Sequence, residues 1–156
     1  MIKKKKFYLT KNGLEKIKEE YKKFKELLRF KTQEETPTLL HSDDLSSTYL
    51  SFQEDLNLLK KRIFELENIL KNAELIKIPP KEKQDVIGLG ATILVEMDNE
   101  IDEFTLVGTI EADPSNKKIS NESPIGKALI NKKVGETIEI KTPIVKHICK
   151  ILKISY

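Results

Sequence analysis

The stretch Tyr49-Leu50-Ser51-Phe52-Gln53-Glu54-Asp55-Leu56-Asn57-Leu58-Leu59-Lys60-Lys61-Arg62-Ile63-Phe64-Glu65-Leu66-Glu67-Asn68-Ile69-Leu70 decides the fold. Tyr49, Phe52, Leu56, Leu59, Ile63, Leu66 and Leu70 recur at alternating spacings of three and four, and Ala73 continues the series. That is the 3.5-residue period of a coiled-coil seam. A strand would need a spacing of two. Neither Gly nor Pro occurs between Thr38 and Ile78, as a long helix requires. Ser42, Asp43, Asp44 and Ser46 are all N-cap residue types, so the helix is expected to start near Asp44 and to end before Pro79-Pro80. About 30 residues of helix span about 45 Å.

Upstream, Leu14, Ile17, Tyr21, Phe24 and Leu28 form a second series of the same period. Thr10 is a candidate N-cap for it, and Pro37 ends or kinks it. A narrow apolar stripe is poorly buried by itself, so each helix needs the other. Two such helices joined by a short polar link pair most simply as an antiparallel hairpin. Five of six glycines and five of six prolines follow Ile78. The expected domains are therefore a hairpin over residues 1–78, with an acidic tip near 34–55, and a globular part over 79–156.

The globular part reads as sheet. Ile93, Val95 and Met97 alternate, as do Phe104, Leu106, Gly108 and Ile110, with Asp98-Asn99-Glu100 as the turn between them. Ile138 with Ile140, and Ile148 to Ile154, supply further strands. Ser123 caps a short helix that has Pro124 at its first position. The predicted class is α+β: a coiled-coil helical hairpin followed by a small antiparallel sheet domain with one short helix.

Charge is distributed along the hairpin. The net charge is only +3, yet residues 1–31 carry 12 basic and 4 acidic side chains, and residues 32–58 carry 6 acidic and no basic ones. The acidic stretch centres on the turn and the basic residues lie along the shaft. Such asymmetry hints at a polyanion contact near the basic part; a solvated, Lys-rich helix face is the simpler reading of the same residues. No apolar run approaches the roughly 18–20 residues that span a bilayer, and no apolar stretch follows the basic start, so no membrane partner is expected and the cytoplasm is the expected location. The single cysteine, Cys149, excludes an internal disulfide and a Cys-based zinc cage.

Catalytic sets are missing from the pattern. Gly88-Leu89-Gly90 precedes a strand instead of opening a helix, which makes it a strand-entry turn and not a dinucleotide loop. His41 and His147 have no partners at metal-ligand spacing; His147 and Cys149 alternate on one strand and read as structural. Asp43-Asp44 is the one suggestive pair. Magnesium takes one or two protein carboxylates and fills its remaining sites with water and phosphate. A protruding tip could thus lend a partial ligand set to an ion held by another protein. The competing reading is that both residues only cap the second helix and favour its dipole.

Several blocks resemble the bacterial Gre family of transcript cleavage factors: Leu9-Thr10-Lys11-Asn12-Gly13-Leu14, Leu106-Val107-Gly108, Glu111-Ala112-Asp113, Ile119 through Leu129, Lys132-Lys133-Val134-Gly135-Glu136 and Lys141-Thr142-Pro143. The resemblance implies an FKBP-like globular domain that docks at the rim of the secondary channel of bacterial RNA polymerase. It implies a hairpin that enters the channel, and tip carboxylates, Asp44 with Asp43, that help hold a polymerase-bound Mg²⁺ while the polymerase cleaves backtracked RNA. The factor would be a helper with no cofactor of its own, and is expected to be a monomer. Ser123, Pro124, Ile125 and Gly126 are the expected docking surface. Lys5, Lys11 and Lys18 are the expected contacts to nascent RNA or DNA.

The tip departs from the family pattern. Asp44-Leu45 fits, but Ser46-Ser47-Thr48-Tyr49 follows where a Glu-Asn-Ala block, an acidic residue and Tyr are usual. Asp43 and Asp44 would point about 100° apart on a helix, so one is a poor replacement for the missing acid. The alternative is a channel-binding regulator that lacks cleavage stimulation. A peptidyl-prolyl isomerase is disfavoured because the globular part offers only Phe104 and Tyr156 to line an aromatic pocket. A plain coiled-coil interaction protein is the remaining alternative.

Overall fold

A computed structural model describes residues 5–33 and 44–156, with Asp44, Leu45 and Ser46 as backbone only. Asp43 lies outside the described residues. The chain divides into two compact units: Leu14–Asn72, and the residues up to Gly13 together with Ala73–Tyr156.

The first of these units consists of helices α1 (Lys11–Gln33, from Leu14 on) and α2 (Asp44–Lys71). Burial on α1 falls on Leu14, Ile17, Tyr21, Phe24 and Leu28, all half-buried at the expected period. On α2, Leu56, Leu59, Leu66 and Ile69 are buried, and Leu66 is fully so. Three cross-helix contacts fix the direction: Lys31 Nζ to Asp55 Oδ2 at 3.0 Å, Arg62 Nη2 to Glu20 Oε1 at 2.6 Å, and Tyr21 Oη to Glu67 Oε1 at 3.4 Å. Lys31, late in α1, meets Asp55, early in α2, whereas Glu20 and Tyr21, nearer the start of α1, meet Arg62 and Glu67, later in α2, so the pair is antiparallel. Ile69 is buried as well, although the heptad series passes it over.

The helix also ends sooner than the Pro79-Pro80 pair suggests. The Asn72 side-chain amide donates to Asn68 O at 2.8 Å, closing the last turn. Ala73, the last member of the heptad series, already lies in a strand.

In the second unit, strands β1 (Phe7–Leu9) and β2 (Ala73–Leu75) form a two-stranded parallel ladder that pairs Phe7 with Ala73 and Leu9 with Leu75. Parallel strands need a long crossover, and here the crossover is the helix pair. The compositional boundary at Pro79-Pro80 therefore differs from the structural divisions after Gly13 and after Asn72. Runs of three residues carry too little periodicity to announce a strand.

The larger sheet is built from β3 (Thr92–Met97), β4 (Glu100–Val107), β5 (Lys118–Ser120), β6 (Thr137–Lys141) and β7 (Lys146–Ser155), in the order β5-β4-β3-β7-β6. The β3–β4 turn places Asp98 and Asn99 at φ 52° and 67°. Two successive left-handed residues make a type I′ turn, whose twist suits a hairpin. Every pairing is antiparallel except that of β4 with β5, where the chain returns through a 3-10 turn at Pro114–Asn116 capped by Asp113. The core contains Ile87, Ile93, Val95, Leu106, Leu129, Ile140, Cys149 and Ile151, with α3 (Pro124–Leu129) contributing Leu129. His147 Nδ1 lies 2.6 Å from Asp98 Oδ2, and Cys149 is buried among the aliphatics, as the structural reading of both expects.

Candidate functional site

The tip is placed by the ends of the two helices. α1 runs to Gln33, where Thr32 Oγ1 bonds back to Leu28 O and Arg29 O, both at 2.9 Å. α2 opens at Asp44, so this residue sits in a first helical turn, where a carboxylate is favourable beside the unpaired N–H groups. One turn on, Gln53 Nε2 donates to Tyr49 Oη at 3.2 Å. Asp55 belongs to the acidic stretch by sequence but is engaged by Lys31. Asp43 and the Asp44 side chain lie outside the described residues. Among the described residues no group of three or more His, Cys, Asp or Glu could hold a metal ion.

The expected docking residues sit on a tightly bonded turn. Ser123 Oγ accepts from Gly126 N at 3.0 Å and donates to Ser120 O at 2.7 Å. Ser120 Oγ accepts from Glu122 N at 3.0 Å, and Asn121 N donates to Val107 O at 2.9 Å. Gly126 is buried, and a Cβ there would lie 2.0 Å from Ser120 O. Ile125 packs against the core, while Pro124 is exposed. Thus Ser123 and Gly126 shape the turn, and Pro124 is the member presented to solvent.

The three expected nucleic-acid lysines belong to different units, Lys5 and Lys11 to the globular one and Lys18 to the helical one. Lys5 lies 3.5 Å from Glu122, beside the Ser123 turn. Lys11 is exposed in the first turn of α1, and Lys18 is exposed in the helical unit.

One cluster escaped sequence reasoning. Glu111 accepts from Thr10 N at 2.5 Å through Oε2 and from Thr10 Oγ1 at 2.6 Å through Oε1. Thr10 Oγ1 in turn accepts from Gly13 N at 3.0 Å, which is the expected N-cap. A Cβ at Gly13 would collide with the Glu111 carboxylate. Gly108 plays a similar part, since a Cβ there would run into Tyr8 O. The positions were visible as two separate blocks; nothing in one sequence pairs residues 101 apart.

Comparisons with known proteins cover both parts. Residues 7–75 match the family described as transcription elongation factor, N-terminal, and residues 81–156 match transcription elongation factor, GreA/GreB, C-term. Transcription elongation factor GreA of Clostridium acetobutylicum is 41% identical over 92% of each chain. Its namesake from Caldanaerobacter subterraneus is 43% identical over 94% of this chain and 95% of that one. Among solved structures, GreA factor homolog 1 of Thermus thermophilus is 28% identical, covering 97% of this chain and 100% of that chain with a TM-score of 0.43. With both halves matched and relatives near 40% identity over almost the full length, the chain belongs to the GreA/GreB family of transcription elongation factors.

Proposed function

We propose that this elongation factor binds bacterial RNA polymerase, passes its helical hairpin into the secondary channel and stimulates cleavage of backtracked RNA, so that arrested complexes resume synthesis. The observation that carries this reading is membership of the GreA/GreB family in both halves of the chain, joined to an antiparallel helix pair whose second helix opens at Asp44. The Ser123–Gly126 turn, with exposed Pro124, serves as the docking surface. Lys5, Lys11 and Lys18 contact nascent RNA or DNA. The protein acts as a monomer in the cytoplasm and is no nuclease by itself.

Asp44, with Asp43, supplies carboxylate oxygens at the polymerase active centre, where a second bound Mg²⁺ would orient and acidify the attacking water. Water adds to the phosphorus of the phosphodiester, the 3′ oxygen of the upstream nucleotide leaves, and the short 3′ fragment departs. The carboxylates orient; they form no covalent bond.

A second reading is favoured by Ser46-Ser47-Thr48-Tyr49, which leaves the tip one acidic residue short. In that reading the factor occupies the channel and slows elongation without stimulating cleavage. One assay separates the two. Purified backtracked complexes are mixed with the native chain, Asp43→Ala and Asp44→Ala, and RNA cleavage is timed. Stimulation by the native chain that is lost in Asp44→Ala supports the first reading. Binding and slowed elongation without cleavage supports the second.

A further inference from the structure

A cavity of about 570 Å³ lies wholly within the globular unit, beside Tyr156 and the β1–β2 ladder. Its volume is in the range of small-molecule sites. Its walls are largely apolar, with Leu75, Ile76, Pro79, Val86 and Leu89 among them. One wall is fixed in advance: Tyr156 Oη accepts from Gly88 N and donates to Val86 O, both at 2.7 Å. That closes the chain's last residue onto the loop before β3.

The charged groups at the rim are unequal. Glu74 is already engaged by Lys6 at 2.9 Å, and Asp85 by Lys133 at 3.4 Å. Lys77 and Lys83 also line the cavity, and among the described residues neither has an ion-pair partner. Asn131 also lines the cavity. The acids are spoken for by partners outside the cavity lining, while both ammonium groups remain available to a guest.

We propose that this cavity binds a small organic anion: an apolar, planar body seated against Leu75, Val86 and Tyr156, with one phosphate or carboxylate held by Lys77 and Lys83. This site is separate from the tip and from the Ser123 turn, and it stands whether or not the polymerase reading holds.

The test uses the full chain labelled with ¹⁵N and three probes of one shape: 1-naphthyl phosphate, 1-naphthoate and neutral 1-naphthol. Amide shifts on titration are expected at Lys77, Gly88, Leu89 and Asn131. Both anions should bind roughly tenfold more tightly than the naphthol, since two exposed ion contacts are worth about that factor together. The Lys77→Ala/Lys83→Ala double variant should lose this tenfold for the anions and leave naphthol unchanged, with the unfolding temperature unaltered because neither lysine is paired. A preference between phosphate and carboxylate identifies the head group. Equal affinity for anions and naphthol, shifts centred instead on the exposed apolar residues Leu58 or Ile144, or no saturable shifts at millimolar probe would each overturn the proposal.

Discussion

Replacing Leu66 by Ala tests whether the heptad seam holds the hairpin together. Leu66 is fully buried in the helical unit, where only Leu56, Leu59 and Ile69 are also buried among the described residues. A fully buried Leu→Ala change removes the transfer free energy of the side chain and leaves a cavity, together about 3–5 kcal/mol. Leu58 provides the control: it lies on the same helix, undergoes the same chemical change and is 66% exposed. Leu58→Ala should cost within about 0.5 kcal/mol of nothing, and the better helix propensity of Ala offsets part of even that. The assay is urea unfolding followed by the helical circular dichroism signal, which α1 and α2 dominate. Leu66→Ala should move the midpoint strongly and Leu58→Ala hardly at all. Equal costs for the two variants would refute the seam assignment, because identical chemistry would then have been insensitive to burial.

Other outcomes follow from particular contacts. Thr10→Ala removes the N-cap of α1 and takes the hydroxyl donor from Glu111 Oε1, while the backbone N–H of residue 10 still donates to Oε2, so it should cost about 1–2 kcal/mol in the same unfolding experiment. The Asn116 side-chain amide, followed by the Ser115 and Asn116 backbone N–H groups and the Lys118 charge, holds the Asp113 carboxyl below its ordinary 3.8. A depressed folded value means that its stabilising effect is complete above the unfolded value and fades as pH falls through the folded one. The amide resonances of Ser115 and Asn116 should therefore hold their positions on acidification to pH 4 and shift only below it, and Asp113→Ala should abolish that transition. Burial alone raises the Cys149 thiol above its ordinary 9.0, so iodoacetamide at pH 7.5 should label the folded chain far more slowly than the urea-unfolded chain, as mass spectrometry can read.

Much of this fold is legible in the sequence because long elements repeat their signal. The seam from Phe52 to Leu70 states its period five times over, and the Asp98-Asn99 turn joins two runs of alternating residues. The short pieces are silent. β1 and β2 contribute three residues each, and they pair positions 7 and 73, which lie far apart in the sequence. β5 joins β4 in parallel because the Asp113-capped turn returns the chain to the same edge, a matter of local geometry that composition does not encode. The candidate site divides along the same line. Asp44 stands out because it opens a helix within a Lys-free stretch. Glu111 does not, because its role comes from Thr10 and Gly13 on a distant segment. Ser123 and Gly126 announce themselves as a motif, yet their hydrogen bonds and close backbone approach spend most of that chemistry on the turn itself.

The same distinction decides how the tip should be probed. Asp44 lies in the first turn of α2, so a carboxylate there stabilises the helix by about 0.3–1 kcal/mol through the dipole whatever else it does. Loss of cleavage in Asp44→Ala would therefore be ambiguous if the hairpin end also loosened. Asp44→Asn removes the charge and the hard anionic ligand, but keeps the size and a side-chain oxygen able to accept from the helix N–H groups. If Asp44 acts on a shared ion, Asn should abolish cleavage stimulation as completely as Ala does, while unfolding of the hairpin shifts by less than about 1 kcal/mol. If it acts only through the helix, cleavage in the Asn variant should stay near the native rate. Seam and tip are thus separable by experiment: Leu66→Ala reads whether the helices stay paired, and Asp44→Asn reads whether the tip carboxylate acts on an ion.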